Sequence, residues 1–308
     1  MGDLIPRYPV YVISKGRAST PYTAKFLMKD KVPFKIVVEP QEAEEYAQVV
    51  GASNVLILPF SNLGLGGIPA RNWVWEHAKE SGAKRHWILD DNIRQVRRFT
   101  RGKRIPCASG PAFAALEDFT DRYTNLAICG MNYTMFGYPE LPPFFLNVHV
   151  YSTLLIQNDL TQRWRGRYNE DTDLCLQVLS AGLCTALTNA FLIEKMATMT
   201  MKGGNSSELY KGDGRLKMAR SLERVWPYVV GVDRRYKRPQ HVVNNAWRRF
   251  DTLLKLREGL DLSDIKPNNY GLTLKAVKEV KSERLKALHA EMQTPITPSA
   301  PCKAGDTP

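Results

Sequence analysis

Between residues 8 and 58 short apolar runs alternate with amphipathic ones, and this alternation limits the fold more than any other feature of the chain. Residues 8–14, 34–38 and 54–58 are rich in Val, Ile, Tyr and Phe and read as strands. Residues 21–29 and 41–49 lie between them with helical spacing. Thr20 followed by Pro21 predicts a helix cap with proline in the first turn. Strand, helix, strand, helix, strand is the pattern of a parallel, doubly wound sheet.

Ligands of such sheets bind beyond the carboxyl ends of the strands. The next strand, at Trp87-Ile88-Leu89, ends at that edge in Asp90-Asp91-Asn92. Oxygen-only ligands suit Mg²⁺ or Mn²⁺, for which phosphates commonly complete the shell, so a nucleotide diphosphate is the implied companion. The alternative is an ordinary turn in which Asp or Asn caps a helix. Upstream, the glycine-rich run from Asn62 through Gly64, Gly66 and Gly67 enters a helix expected over 70–81. There the backbone could approach a phosphate, with Arg71 adding a charged contact.

Further along, a helix is expected over 110–121, strands over 126–131 and 144–155, and a helix over 174–179 ending at Gly182. Glu170, Asp171 and Asp173 precede that last helix; they suit capping, and a carboxylate there could also accept a proton from an attacking hydroxyl. Residues 187–200 read as strand-rich and 202–207 as a polar loop able to close over a ligand. Residues 209–250 read as basic and helical in pieces, 273–292 as a charged helix and 294–308 as a disordered tail. The expected organisation is an α/β catalytic domain over 1–205, with an open, mostly parallel sheet flanked by helices. A basic helical extension over 206–292 and the tail over 293–308 follow.

No run of eighteen apolar residues appears, and residues 1–7 lack the basic start and apolar segment of a signal peptide. Five cysteines form no CxxC pair and no Cys/His cluster. A cytoplasmic protein without a membrane partner is expected, with neither zinc site nor disulfide framework. The net charge of +12 is concentrated. Arg94, Arg97, Arg98, Arg101 and Arg104 lie in an acid-free stretch, and Arg234, Arg235, Lys237 and Arg238 in a second. Such clusters, interleaved with aromatics, point to a polyanion, nucleic acid being the commonest, or else to a merely basic surface. Arg97 and Arg98 could alternatively pair with Glu117, Asp118 and Asp121 of the following helix.

Ala70-Arg71-Asn72, Leu89-Asp90-Asp91-Asn92 and Glu170-Asp171-Thr172-Asp173, in that order, resemble the nucleotide-sugar glycosyltransferases of GT-A fold. Within that fold Ile13-Ser14-Lys15-Gly16-Arg17, Asn169-Glu170-Asp171 and Lys202-Gly203-Gly204-Asn205 resemble the TET-associated glycosyltransferase family over residues 8–250. The resemblance implies a phage-type enzyme, working in a host's cytoplasm, that moves sugar from a UDP-sugar to the hydroxyl of 5-hydroxymethylcytosine in DNA. The donor would be UDP-glucose or UDP-N-acetylglucosamine, with Mn²⁺ or Mg²⁺. Carried over, donor contacts fall to Ser14, Lys15, Arg17, Glu39, Gly66, Gly67, Arg71, Asp90, Gly203 and Gly204. Asp91 and Asn92 would hold the metal, with His241 a candidate third ligand, and Asp171 would be the base, with Glu170 next in line. Asn92 departs from the usual acidic ligand at its position. A protein or glycan hydroxyl as acceptor, or a silent nucleic-acid-binding module, stays open.

Overall fold

Parallel pairing of the first four strands lays out the molecule. In the computed structural model, which describes residues 4–196, 214–235 and 238–272, β1 (Val10–Ile13), β2 (Lys35–Val38), β3 (Val55–Ile57) and β4 (Arg85–Asp90) lie in the order β3-β2-β1-β4. Helices α1 (Tyr22–Lys29), α2 (Ala43–Val50) and α3 (Ile68–Glu80) connect them. Beyond β4 the sheet continues through β9 (Thr153–Gln157), β7 (Leu126–Tyr133), β10 (Cys184–Lys195), β5 (Ile93–Thr100) and β6 (Lys103–Pro106), with β8 (Phe144–Leu146) beside the start of β10. Following the pairings, seven of the ten strands run in one direction and only β5, β8 and β9 oppose them.

Alternation along the strands sends side chains to two cores. Val10 and Val12 meet α1, α2 and α4 (Ser109–Thr120) through Leu27, Tyr46 and Phe113 on one face. On the other, Tyr11 and Ile88 meet Val74 and Trp75 of α3 and Leu174 and Val178 of α5 (Glu170–Ser180). Helices cover both faces, which leaves the strand ends as the place for a ligand.

Four local expectations change. Residues 144–155 form two strands, because Asn147 and Ser152 take left-handed conformations (φ 54° and 66°) that end extended structure between them. The basic stretch after Asn92 is a hairpin, β5 and β6, and the chain re-enters the sheet there. Thr20 caps nothing; Pro21 itself occupies the cap position of α1. Among the described residues the C-terminal segment gives an α-helix, α6 (Gly214–Val225), then a hairpin of β11 (Val230–Arg235) and β12 (Arg238–Val243) and a short 3-10 helix at Asn245–Phe250. The β-branched Val230, Val232, Val242 and Val243 favour strand despite the surrounding charge. This segment packs Leu222, Val229 and Val230 against Leu176 of α5. No helix among the described residues is long and apolar enough to cross a membrane. Gly203, Gly204, Lys237, the helix expected over 273–292 and the tail from 294 lie outside the described residues, as do the side chains of Arg235 and Arg238.

Candidate active site

The ends of β1, β2 and β4 open onto a cavity of about 200 Å³. Its walls include Ser14, Lys15 and Arg17 after β1, Glu39 after β2, and Gly66, Gly67 and Arg71 at the start of α3. Asp90, Asp91, Asn92 and Glu170 are also in its lining, so every described residue assigned to the donor lies around one space. The loops are tied together. Lys15 Nζ donates to Glu39 Oε1 (2.9 Å) and to Asn62 Oδ1 (3.2 Å), and the Tyr46 hydroxyl accepts from the Arg17 backbone N–H (2.9 Å). Gly66 has φ 67°, a conformation that glycine adopts without strain.

The acidic turn is fixed from α1. The Thr23 hydroxyl donates to the Asp90 carbonyl (2.6 Å) and accepts from the Ile93 N–H (2.9 Å). Asp90 Oδ1 accepts from Arg71 Nη2 (3.1 Å), while its Oδ2 accepts from Lys195 Nζ (2.6 Å) and the Ser152 hydroxyl (2.8 Å). Burial opposes ionisation of Asp90, but Lys195 and Arg71 outweigh it and hold the carboxyl below the usual range. Pairing irregularities at Thr188/Leu192 and Glu194/Lys195 bend β10 on its way to this contact. The left-handed turn at Ser152 is where the chain presents its hydroxyl to the same carboxylate.

Arg71 joins the two acidic motifs. It is buried, lies 4.6 Å over the Trp164 ring, and approaches Glu170 and Asp171 at 3.9 Å each besides its bond to Asp90. Asp171 Oδ1 is buried with no hydrogen-bond partner. Burial, relieved in part by Arg71 and reinforced by Glu170 and Asp90, pushes the Asp171 carboxyl up to about 7. Asp173, by contrast, is structural: Arg165 bonds both its oxygens (2.9 and 3.1 Å), and Trp226 Nε1, from beyond α6, donates to it at 2.7 Å.

Of the expected metal ligands, Asp91 and Asn92 share the cavity wall, and His241 is not part of it. Asp91 is buried with Oδ1 on Arg17 Nη1 (2.5 Å) and Oδ2 on the Ser14 hydroxyl (2.7 Å). Asn92 Oδ1 is buried and has no hydrogen-bond partner, so it alone offers an open oxygen. His241 lies on β12 opposite Val232, its imidazole pushed down to about 4 by burial and by His149. Among the described residues no three His, Cys, Asp or Glu side chains converge on a cation site. A turn that offers one unpartnered amide oxygen, with the two preceding carboxylates already paired to Arg17, Arg71 and Lys195, does not suit a hard divalent cation.

The arginines of the hairpin divide. Arg97 pairs with Glu194 (2.6 Å), and Arg98 donates to the Ala190 and Phe99 carbonyls (2.6 and 3.1 Å) and lies over Phe191. Arg104 donates to the Gly137 carbonyl. Arg94, over the Tyr22 ring, Arg101 at the hairpin turn and Arg234 on β11 are exposed. The acids expected to partner Arg97 and Arg98 are engaged elsewhere: Glu117 with Trp87, Asp118 with Arg7 and Asp121 with Arg85. Sequence reasoning missed Thr23, Ser152 and Lys195. For Lys195 the one signal was a lysine closing an apolar run, Ala190-Phe191-Leu192-Ile193.

Residues 8–204 match the family described as TET-Associated Glycosyltransferase, and the chain belongs to that family. No curated protein matches it.

Proposed function

We propose that this TET-associated glycosyltransferase moves a hexosyl group from a UDP-sugar to the hydroxymethyl oxygen of 5-hydroxymethylcytosine in DNA, with inversion at the anomeric carbon. One observation carries the reading. Arg71, in the cavity wall with Asp90 and Glu170, bonds Asp90 and stands 3.9 Å from both Glu170 and the neighbouring Asp171. The hydroxymethyl oxygen forms a bond to the anomeric carbon as the bond from that carbon to the diphosphate breaks. Its proton passes to Asp171, whose raised affinity for protons suits a base working near neutrality. Lys15, Arg17 and Arg71 in the cavity wall, with Lys195 on Asp90, meet the charge of the departing diphosphate. A base inside a duplex is out of reach of such a crevice, so the target nucleotide is extruded or presented on single-stranded DNA.

The test is label transfer from radioactive UDP-glucose and UDP-N-acetylglucosamine to hydroxymethylcytosine DNA beside unmodified DNA. Incorporation confined to the modified DNA is expected. Label appearing only on added protein or glycan would overturn the acceptor assignment.

A further inference from the structure

Beside the crevice, the turn after β7 exposes an unusual surface. Met135 is 75% exposed, Phe136 47% and Tyr138 53%. Single exposed apolar residues are ordinary, but three within four positions form a patch. The patch is held in place: Arg104 donates to the Gly137 carbonyl, and Gly102 (φ 66°) packs so close to Pro139 that a Cβ there would lie 3.3 Å from its ring. Next to it is an open cavity of about 540 Å³ whose charged lining is Arg97, Lys103 and Arg104 against Glu194. Three cations against one carboxylate leave that cavity positive.

An aromatic row leads inward from the patch. Phe136 stacks on Tyr133 (6.0 Å between centroids, 29° between planes), and Tyr133 lies against Tyr151 (4.5 Å). The Tyr133 hydroxyl meets the Ser152 hydroxyl at 2.7 Å, Ser152 donates to Asp90, and Lys195 Nζ sits 5.7 Å from the centre of the Tyr133 ring. The row therefore runs from solvent to the carboxylate at the candidate active site. Planar rings beside a cationic cavity match a nucleic-acid strand, with bases for the rings and a phosphate for the cations. The excess of cations favours a polyanion over a neutral glycan or peptide.

We propose that Met135 and Phe136 form a wedge that enters the base stack of the acceptor and supports the nucleotide extruded toward Asp90, while the Lys103 and Arg104 cavity holds a flanking phosphate. Apolar wedges of this kind unstack base steps in other nucleic-acid complexes. This rests on the reading that the acceptor is DNA.

The experiment uses the full chain and a duplex with one hydroxymethylcytosine and 2-aminopurine as its neighbour, whose fluorescence rises on unstacking. Wild type should bind with a fluorescence rise. Phe136→Ala and Met135→Ala should lose most of the rise and about tenfold or more in affinity, with UDP affinity and Tm unchanged. Lys103→Ala should keep the rise and reduce the log-log salt slope by about one. Phe136→Ala binding and unstacking like wild type would overturn the wedge while leaving the DNA reading intact. Wild type that binds the single strand but not the duplex would overturn the wedge alone, and failure to bind either, or displacement by peptide or oligosaccharide alone, would overturn both.

Discussion

Replacing Asp171 with Asn removes one proton-accepting oxygen from an otherwise unchanged shape, so its consequences can be worked out in both catalysis and stability. With the carboxyl pushed up to about 7 by burial, only about a tenth of the enzyme holds the ionised base at pH 6. The wild-type kcat/KM should therefore rise with unit slope up to neutrality and level off above it. Asp171→Asn should lose about 10²- to 10⁴-fold in kcat and flatten that limb. Stability supplies an independent sign. The folded state binds this proton more tightly than an unfolded carboxyl with its value near 4, so between about pH 4 and 7 the unfolded state binds fewer protons and stability falls as pH rises. The contribution is on the order of 4 kcal/mol across that window, and the variant should lack it. Denaturant melts at several pH values, run beside label transfer, measure both. A variant that keeps the acid limb and near-normal turnover would refute the base assignment and move it to Glu170, and unaltered pH dependence of the melts would refute the buried-carboxylate argument beneath it.

Three other consequences follow from named contacts. UDP affinity by calorimetry should be the same in chelator and in Mn²⁺, and Lys195→Met should lower it about tenfold or more, because a buried cation facing Asp90 is lost; a strict Mn²⁺ requirement would mean that Asp90 and Asp91 exchange their cation partners for a metal. Arg98→Ala should lower Tm, since two carbonyls and the Phe191 face lose their partner, and leave the salt slope of DNA binding alone, whereas Arg101→Ala should reduce the slope by about one at constant Tm. Asp173→Ala should destabilise by about 2–3 kcal/mol in a denaturant melt, because it unpairs Arg165 and Trp226 together; a smaller effect on a folded protein would show that the C-terminal segment does not depend on that contact.

How much of this was legible in the sequence depended on the range of the interaction. Local pattern suffices for β1 to β4 and their helices, because apolar alternation and glycine-rich turns act within a few residues. It fails at residues 144–155, where apolar content hides two left-handed residues whose conformations are fixed by distant contacts: Asn147 donates to the Thr252 carbonyl and Ser152 to Asp90. It fails again in the C-terminal segment, where charge draws attention from the valines that form the hairpin. The cavity residues could be read because Ser14, Lys15, Arg17 and Glu39 follow strands, Asp90 ends one, and Gly66, Gly67 and Arg71 lie at the start of a helix. Lys195 could not, because its approach to Asp90 requires the bend of a strand that begins eleven residues earlier. The arginines were visible as charge, but whether each is spent on Glu194, on carbonyls or left to solvent is decided by a hairpin that composition does not announce.

The motifs around residues 71, 90 and 170 look independent in the sequence and are one electrostatic object in the fold. Asp90, Asp91, Glu170 and Asp171 are four acids, and Arg17, Arg71 and Lys195 are the three cations that face them. On Asp171 burial weighs most, and its ion pair to Arg71 Nη1 is long, at 3.9 Å instead of hydrogen-bond contact. That is why Asp171 holds its proton to about 7 while Asp90, with Lys195 and Arg71 in direct contact, does not. A diphosphate entering the cavity competes for Arg17 and Arg71 in its wall, and any hold it takes on Arg71 weakens the larger of the two attractions, from Arg71 and Lys195, that favour the charged form of Asp171. Donor binding and base strength are thus coupled through the Arg71 guanidinium, which lies over the Trp164 ring. A lysine at position 71 could carry the charge but could not reach three carboxylates from two motifs at once.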